Sequence, residues 1–111
     1  MDNDFDMESS FVDVIRTLNN PVRRRLLTFT FDNAHSINEL IDKLEENKIP
    51  YGSRDSVYKH LELLVAAGLL EKFYDASKKA LSYKNPPAQV IIDIENRTVE
   101  TRKEEQRITP K

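Results

Sequence analysis

The stretch Ser53-Arg54-Asp55-Ser56-Val57-Tyr58-Lys59-His60-Leu61-Glu62-Leu63-Leu64-Val65-Ala66-Ala67-Gly68-Leu69-Leu70 decides how the chain is read. Ser53 is a good N-cap, because its side-chain oxygen can accept from an N–H that the first helical turn leaves unpaired. Val57, Leu61, Leu64 and Val65 then recur at three- and four-residue spacing, which gathers them on one helical face. Arg54, Asp55, Tyr58, Lys59 and Glu62 fall largely on the opposite face, and Gly68 supplies a C-terminal stop. The spacing predicts a helix over about 53–67, apolar inside and polar outside.

Working back from this helix, Ser36 and Glu39 have the spacing of a capping box, and Ile37, Leu40, Ile41 and Leu44 form the buried stripe of a preceding helix. Asn47-Lys48-Ile49-Pro50-Tyr51-Gly52 reads as the turn between the two. Earlier still, Asn20 caps and Pro21 opens a helix carrying Val22, Leu26, Leu27 and Phe29, which ends near Asp32-Asn33. The first helix runs from Glu8 to Leu18 on Phe11, Val14, Ile15 and Leu18. Working forward, Leu69–Tyr74 and Ala80–Lys84 read as strands around the polar loop Asp75-Ala76-Ser77-Lys78-Lys79. After Pro86-Pro87, β-branched Val90-Ile91-Ile92 and Thr98-Val99 favour a second strand pair, with a helix from about Arg97 to Arg107 as the competing reading.

Helices joined by a short turn and followed by a hairpin make a mainly α chain with a β-hairpin wing (α+β), the element order of a winged helix-turn-helix. The expected organisation is an acidic flexible tail over 1–7, the winged domain with a C-terminal strand extension over 8–101, and a charged flexible tail over 102–111. At 111 residues and 39% hydrophobic content there is room for one modest core, so dimerisation is a natural way to bury more apolar surface. No cysteine is present, which removes disulfides and thiolate chemistry and fits a reducing cytoplasm. The start Met1-Asp2-Asn3-Asp4-Phe5-Asp6 is acidic, unlike a secretory signal, and no apolar run reaches transmembrane length.

A helix that enters the major groove must show polar groups outward while its other face holds it to a core, so double-stranded DNA is the partner this order implies. In the 53–67 helix, Arg54 can reach base edges or phosphate, Lys59 can neutralise a phosphate, and Tyr58 offers a ring to thymine methyls and a hydroxyl to polar partners. Asp55 could accept from a cytosine amino group, although favouring the helix dipole from the first turn is its more ordinary role. Lys78 and Lys79, at the tip of the 75–79 wing, are placed for the backbone of the duplex. Arg23-Arg24-Arg25 fan around their helix, so one must lean toward the core's edge; for the others, with Arg24 as the candidate, phosphate contact and plain solvation suit equally. His60 borders the buried stripe and is assigned a structural role. His35 sits in a loop, and two histidines without cysteine or a His/Asp/Glu cluster give no basis for a metal. With two glycines in the chain, and neither a phosphate loop nor a nucleophile elbow, no enzyme or cofactor is expected.

Leu18-Asn19-Asn20-Pro21-Val22-Arg23-Arg24-Arg25-Leu26-Leu27 resembles the start of the second helix in ArsR-type winged-helix regulators. Ser56 to Leu70 is similar to that family's recognition helix and its Ala-Gly-Leu exit into the first wing strand. The resemblance spans about residues 11–84. It implies a dimeric, sequence-specific repressor or activator and assigns groove contact to Arg54, Ser56, Tyr58 and Lys59. Metal-sensing members use cysteine or histidine clusters that this chain lacks. Members commonly pair through the first helix and a C-terminal helix; here strands replace the latter, which leaves Phe11, Ile15 and Leu18 as the candidate dimer contact. The formal net charge of −2 argues against a nonspecific nucleic-acid binder and keeps open the alternative, a winged-helix protein-interaction module without DNA binding.

Overall fold

The computed structural model describes the backbone of residues 2–103 and the side chains from Ser10 onward. The elements are α1 (Asp2–Leu18), α2 (Pro21–Phe29), β1 (His35–Ser36), α3 (Ile37–Glu46), α4 (Arg54–Ala66), β2 (Glu71–Asp75), β3 (Ala80–Lys84), β4 (Pro87–Asp93) and β5 (Thr98–Lys103). Helix α1 begins at Asp2, six residues ahead of the start expected at Glu8, so the backbone of 2–7 is helical where a flexible tail was expected. Of the expected C-terminal tail, Arg102 and Lys103 belong to β5, and residues 104–111 lie outside the described residues.

The starts of α2, α3 and α4 follow their sequence signals, whereas α2 stops at Phe29 with Thr30 as its C-cap, short of the expected Asp32-Asn33. Asn20 Oδ1 accepts from Arg23 N at 3.0 Å, and Pro21 takes the first helical position of α2. At α3 the capping box closes both ways, with Ser36 Oγ accepting from Glu39 N at 3.2 Å and Glu39 Oε1 from Ser36 N at 3.0 Å. Helix α4 ends as a Schellman turn: Gly68, at φ 78°, donates to the Val65 carbonyl and Leu69 N to the Leu64 carbonyl at 2.9 Å. Helix α3 ends the same way, but on Lys48 at φ 58°, with Ile49 N donating to the Leu44 carbonyl at 2.9 Å. The stop therefore falls within the turn over 47–52 expected from the sequence, on a residue that is not glycine.

Leu26 of α2, Leu40 and Leu44 of α3, and Val57, Leu61 and Leu64 of α4 are fully buried in one cluster with Leu69 and Tyr83. Burial holds the Tyr83 phenol in its neutral form, with its pKa pushed up to about 12. The wing is the antiparallel pair β2–β3, in which Phe73 faces Ser82 and Tyr74 faces Leu81. A third strand that the sequence reading missed completes this sheet: β1 pairs with β3, His35 opposite Tyr83 and Ser36 opposite Ser82. It escapes a pattern search because two residues carry no alternation, and Ser36 is at once strand and helix cap.

The strand pair favoured after Pro87 is present as β4–β5, in a separate antiparallel sheet with a bulge between Pro87 and Gln89. Over 98–103 this excludes the competing helix. A lone two-stranded sheet is marginal in water. Here β5 packs on α1, and Val90 packs against the core cluster.

Candidate nucleic-acid interface

The inner row of α4 fixes which residues its other face can present. With Val57, Leu61 and Leu64 at zero exposure, the helix is locked in rotation, and Arg54, Asp55, Tyr58 and Lys59 are turned to solvent. Tyr58 is 42% exposed, which leaves a large aromatic surface open to solvent. Ser56, another expected groove residue, is half-buried; its backbone N donates to Ser53 Oγ at 3.2 Å and the two hydroxyls lie 3.2 Å apart. Glu62 is drawn away from this surface by an ion pair to Lys72 of β2 at 2.9 Å. The exposed N-terminal half of α4 thus carries Arg54 and Lys59 against the single carboxylate of Asp55.

Arg54 does not lie free. Its Nε donates to Asn38 Oδ1 of α3 at 3.2 Å, linking the two helices across their N-terminal ends. Beside this pair is a cleft of about 300 Å³ lined by Ile37, Tyr58, Ala80, Leu81 and Tyr83. Leu81, 43% exposed on the wing, stands with Tyr58 at its apolar edge. Neither Asn38 nor Leu81 was singled out from the sequence. The first looks like an ordinary early-helix polar residue, and the second like a strand residue that alternation would send inward.

At the wing, Asp75 Oδ1 accepts from Ser77 N at 3.0 Å and Ser77 Oγ at 2.6 Å, which shapes the loop, and Lys79 sits at its tip with φ 54°. Lys78 is less available than the sequence suggested. Its ammonium donates to Glu39 Oε1 at 2.8 Å and to the Ala34 carbonyl at 3.2 Å, pinning the wing to the start of α3. That lysine, with the Ser36 N–H, holds the Glu39 carboxyl down to a pKa of about 2, and His35 Nδ1 lies 3.3 Å from the same oxygen. Lys79 remains exposed among the loop residues.

The arginine run separates by role. Arg23 is the member that leans inward: Nε donates to the Thr17 carbonyl at 2.7 Å and a terminal nitrogen lies 3.0 Å from His60 Nδ1. Arg24 donates to the Leu18 carbonyl at 2.7 Å while staying exposed, and Arg25 lies over the Phe29 ring at 5.6 Å. Both first-named residues satisfy carbonyls at the end of α1, which have no partner within that helix. Of the three first-helix candidates for a dimer contact, Phe11 is buried within the chain, Leu18 packs on the core cluster, and Ile15 is 39% exposed.

His60 has the structural role expected of it, and its protonation state follows from its neighbour. Arginine can only donate, so Nδ1 must accept and the ring proton resides on Nε2. Burial first, and the Arg23 charge second, lower the His60 pKa below 6.5. Between that lowered value and 6.5 the unfolded chain binds the proton and the folded chain does not, so stability rises with pH across this window. Urea denaturation should therefore show stability falling from pH 7.5 to pH 5.5, and His60→Gln should lose that step. Glu39 acts in a lower window: its contribution is complete above 4.5 and is lost as pH falls toward 2. A His60→Gln profile identical to wild type between pH 7.5 and 5.5 would refute the assignment.

Helices α2, α3 and α4 with the β1–β3–β2 wing constitute a winged helix-turn-helix domain. Residues 18–72 match a protein family described as a helix-turn-helix domain, a span that runs from the end of α1 into β2. Among solved structures, HlyU from Vibrio cholerae is similar over 72% of this chain and 78% of its own, with 24% sequence identity and a TM-score of 0.57. No curated protein matches the chain. Among the described residues no helix is long and apolar enough to cross a membrane, and no group of three His, Cys, Asp or Glu is gathered as for a metal.

Proposed function

We propose that this protein is a homodimeric, sequence-specific regulator of transcription of the ArsR-like kind, which places α4 in the major groove of double-stranded DNA and the wing on the adjacent backbone. The observation that carries the reading is the rotational lock of α4. Three fully buried residues on its inner row hold Arg54, Tyr58 and Lys59 outward at the exposed end of the second helix of the turn motif. Arg54 and Tyr58 are the base-reading candidates. Lys59, Lys79 and Arg24 are phosphate contacts, Ser56 a contact at the groove's edge, and Lys78 chiefly holds the wing in place. The fold performs this task with no catalytic step and no cofactor, in the cytoplasm.

Selection from a random duplex pool at low salt tests this reading, because phosphate contacts are strongest there. One site should be enriched. Lys59→Ala and Lys79→Ala should each weaken binding to all sequences alike and reduce the slope of log affinity against log salt by about 1. Absence of any duplex binding would overturn the regulator in favour of a protein-interaction module, which the net charge of −2 would suit.

A further inference from the structure

We infer that Arg54 is a guanine reader and that Asn38, on the neighbouring helix, is its positioning residue. The inference rests on the DNA-binding reading and says which base that surface selects. An arginine carries five donors in a planar fork, one on Nε and four on the two terminal nitrogens. Asn38 Oδ1 occupies the Nε donor at 3.2 Å. What remains is the outer edge formed by the two terminal nitrogens, the edge that makes the bidentate contact to guanine O6 and N7. Fixing the fork before contact also removes part of the ordering cost that a free arginine bears on binding.

The same fork suits a phosphate, so the surroundings must decide. Arg54 opens α4, and the N-terminal residues of a recognition helix are those that meet base edges. Next to it stands the exposed carboxylate of Asp55, which repels a phosphate. Arg54 and Asn38 themselves line a cleft whose remaining walls are Ser36, Ile37, Tyr58, Ala80, Leu81 and Tyr83, mostly apolar surface without a second cation. A phosphate gains nothing from such walls. The flat edge of a base pair, with its carbon atoms and methyl groups, does.

Asn38 is exposed and contributes nothing to the core, so its replacement leaves the fold standing. The test is selection from a random duplex pool by the full chain, followed by affinity measurements on the selected site and on variants of each position. The wild type should require a guanine at one position of each half-site. Arg54→Ala should abolish that preference, worth about 5- to 150-fold, at that position only. Asn38→Leu, similar in size but unable to accept, should reduce it by about 2- to 10-fold, the weight of one ordinary hydrogen bond.

Asn38→Asp keeps the acceptor. It should preserve the guanine preference while lowering affinity for all sites through its added negative charge. A merely structural Asn38 would not separate the two variants in this way. If no duplex is bound at low salt, the DNA-binding reading fails and this inference fails with it. If a site is bound but no guanine depends on Arg54, or if Asn38→Leu and Asn38→Asp change the preference equally, the inference alone is overturned.

Discussion

Replacing Leu61 with alanine is expected to destabilise the domain by about 3 kcal/mol, within the 2–5 kcal/mol range for leucine truncation in a packed core. Leu61 has no solvent exposure and sits midway along the inner row of α4, between Val57 and Leu64. Its side chain lies in the cluster that joins α4 to Leu26 of α2, Leu40 and Leu44 of α3, and Tyr83 of the wing. The cavity it leaves would lie where three helices and the sheet meet, so no single element can move to refill it. For a chain of 111 residues total stability is of order 5–15 kcal/mol, which makes this loss a large share. The melting temperature should fall by about 15 °C. Leu63 lies two residues further along the same helix but is 48% exposed, and Leu63→Ala should change stability by no more than about 0.5 kcal/mol. Urea denaturation of both variants at one protomer concentration measures the contrast; equal losses would mean that α4 does not turn Leu61 inward and Leu63 outward.

That contrast marks how far the fold was legible in the sequence. Period and caps could be read because each rests on a local rule. Leu26, Leu40 and Leu61 fall on stripes, Asn20 and Ser53 accept the N–H groups that helices leave open, and Gly68 takes the positive φ that ends α4. Lys48 ends α3 at a positive φ too, without a glycine, because the Schellman bonds of Lys48 and Ile49 offset the modest strain of a side chain there. Strand β1 is recognised only by its pairing with β3, a contact between residues 35 and 83 that no local pattern records.

The site was legible in part for the same reason. That Arg54, Tyr58 and Lys59 face outward follows from helical period alone, and the structure turns all three to solvent. Which charges remain available does not follow, since that is decided by partners distant in sequence. Lys78 is engaged by Glu39, Glu62 by Lys72, and Arg54 by Asn38. Sequence charge counts treat these groups alike. In the folded chain an ammonium paired at 2.8 Å and one at an exposed loop tip present different fields to a phosphate.

The second large effect concerns assembly. On α1, Phe11, Val14 and Thr17 form the buried row, while Val12 at 36% exposure and Ile15 at 39% lie on an outer strip three residues apart. We propose that this strip pairs with its copy across a two-fold axis. Ile15→Glu should then convert a dimer to a monomer, as read by light scattering at micromolar concentration. The consequence for DNA follows from effective concentration. Once one half-site is bound, a tethered second domain sees its own half-site at roughly millimolar concentration, and losing the tether costs about 10²- to 10⁴-fold in affinity. A chain with a net charge of −2 has little nonspecific attraction to compensate. Affinity for a duplex with two half-sites should therefore collapse, whereas affinity for a single half-site should stay within about twofold of wild type, because Ile15 lies on a different helix from the proposed reading surface. A wild-type protein that is monomeric under these conditions, or an Ile15→Glu variant that remains dimeric, would remove α1 as the dimer contact.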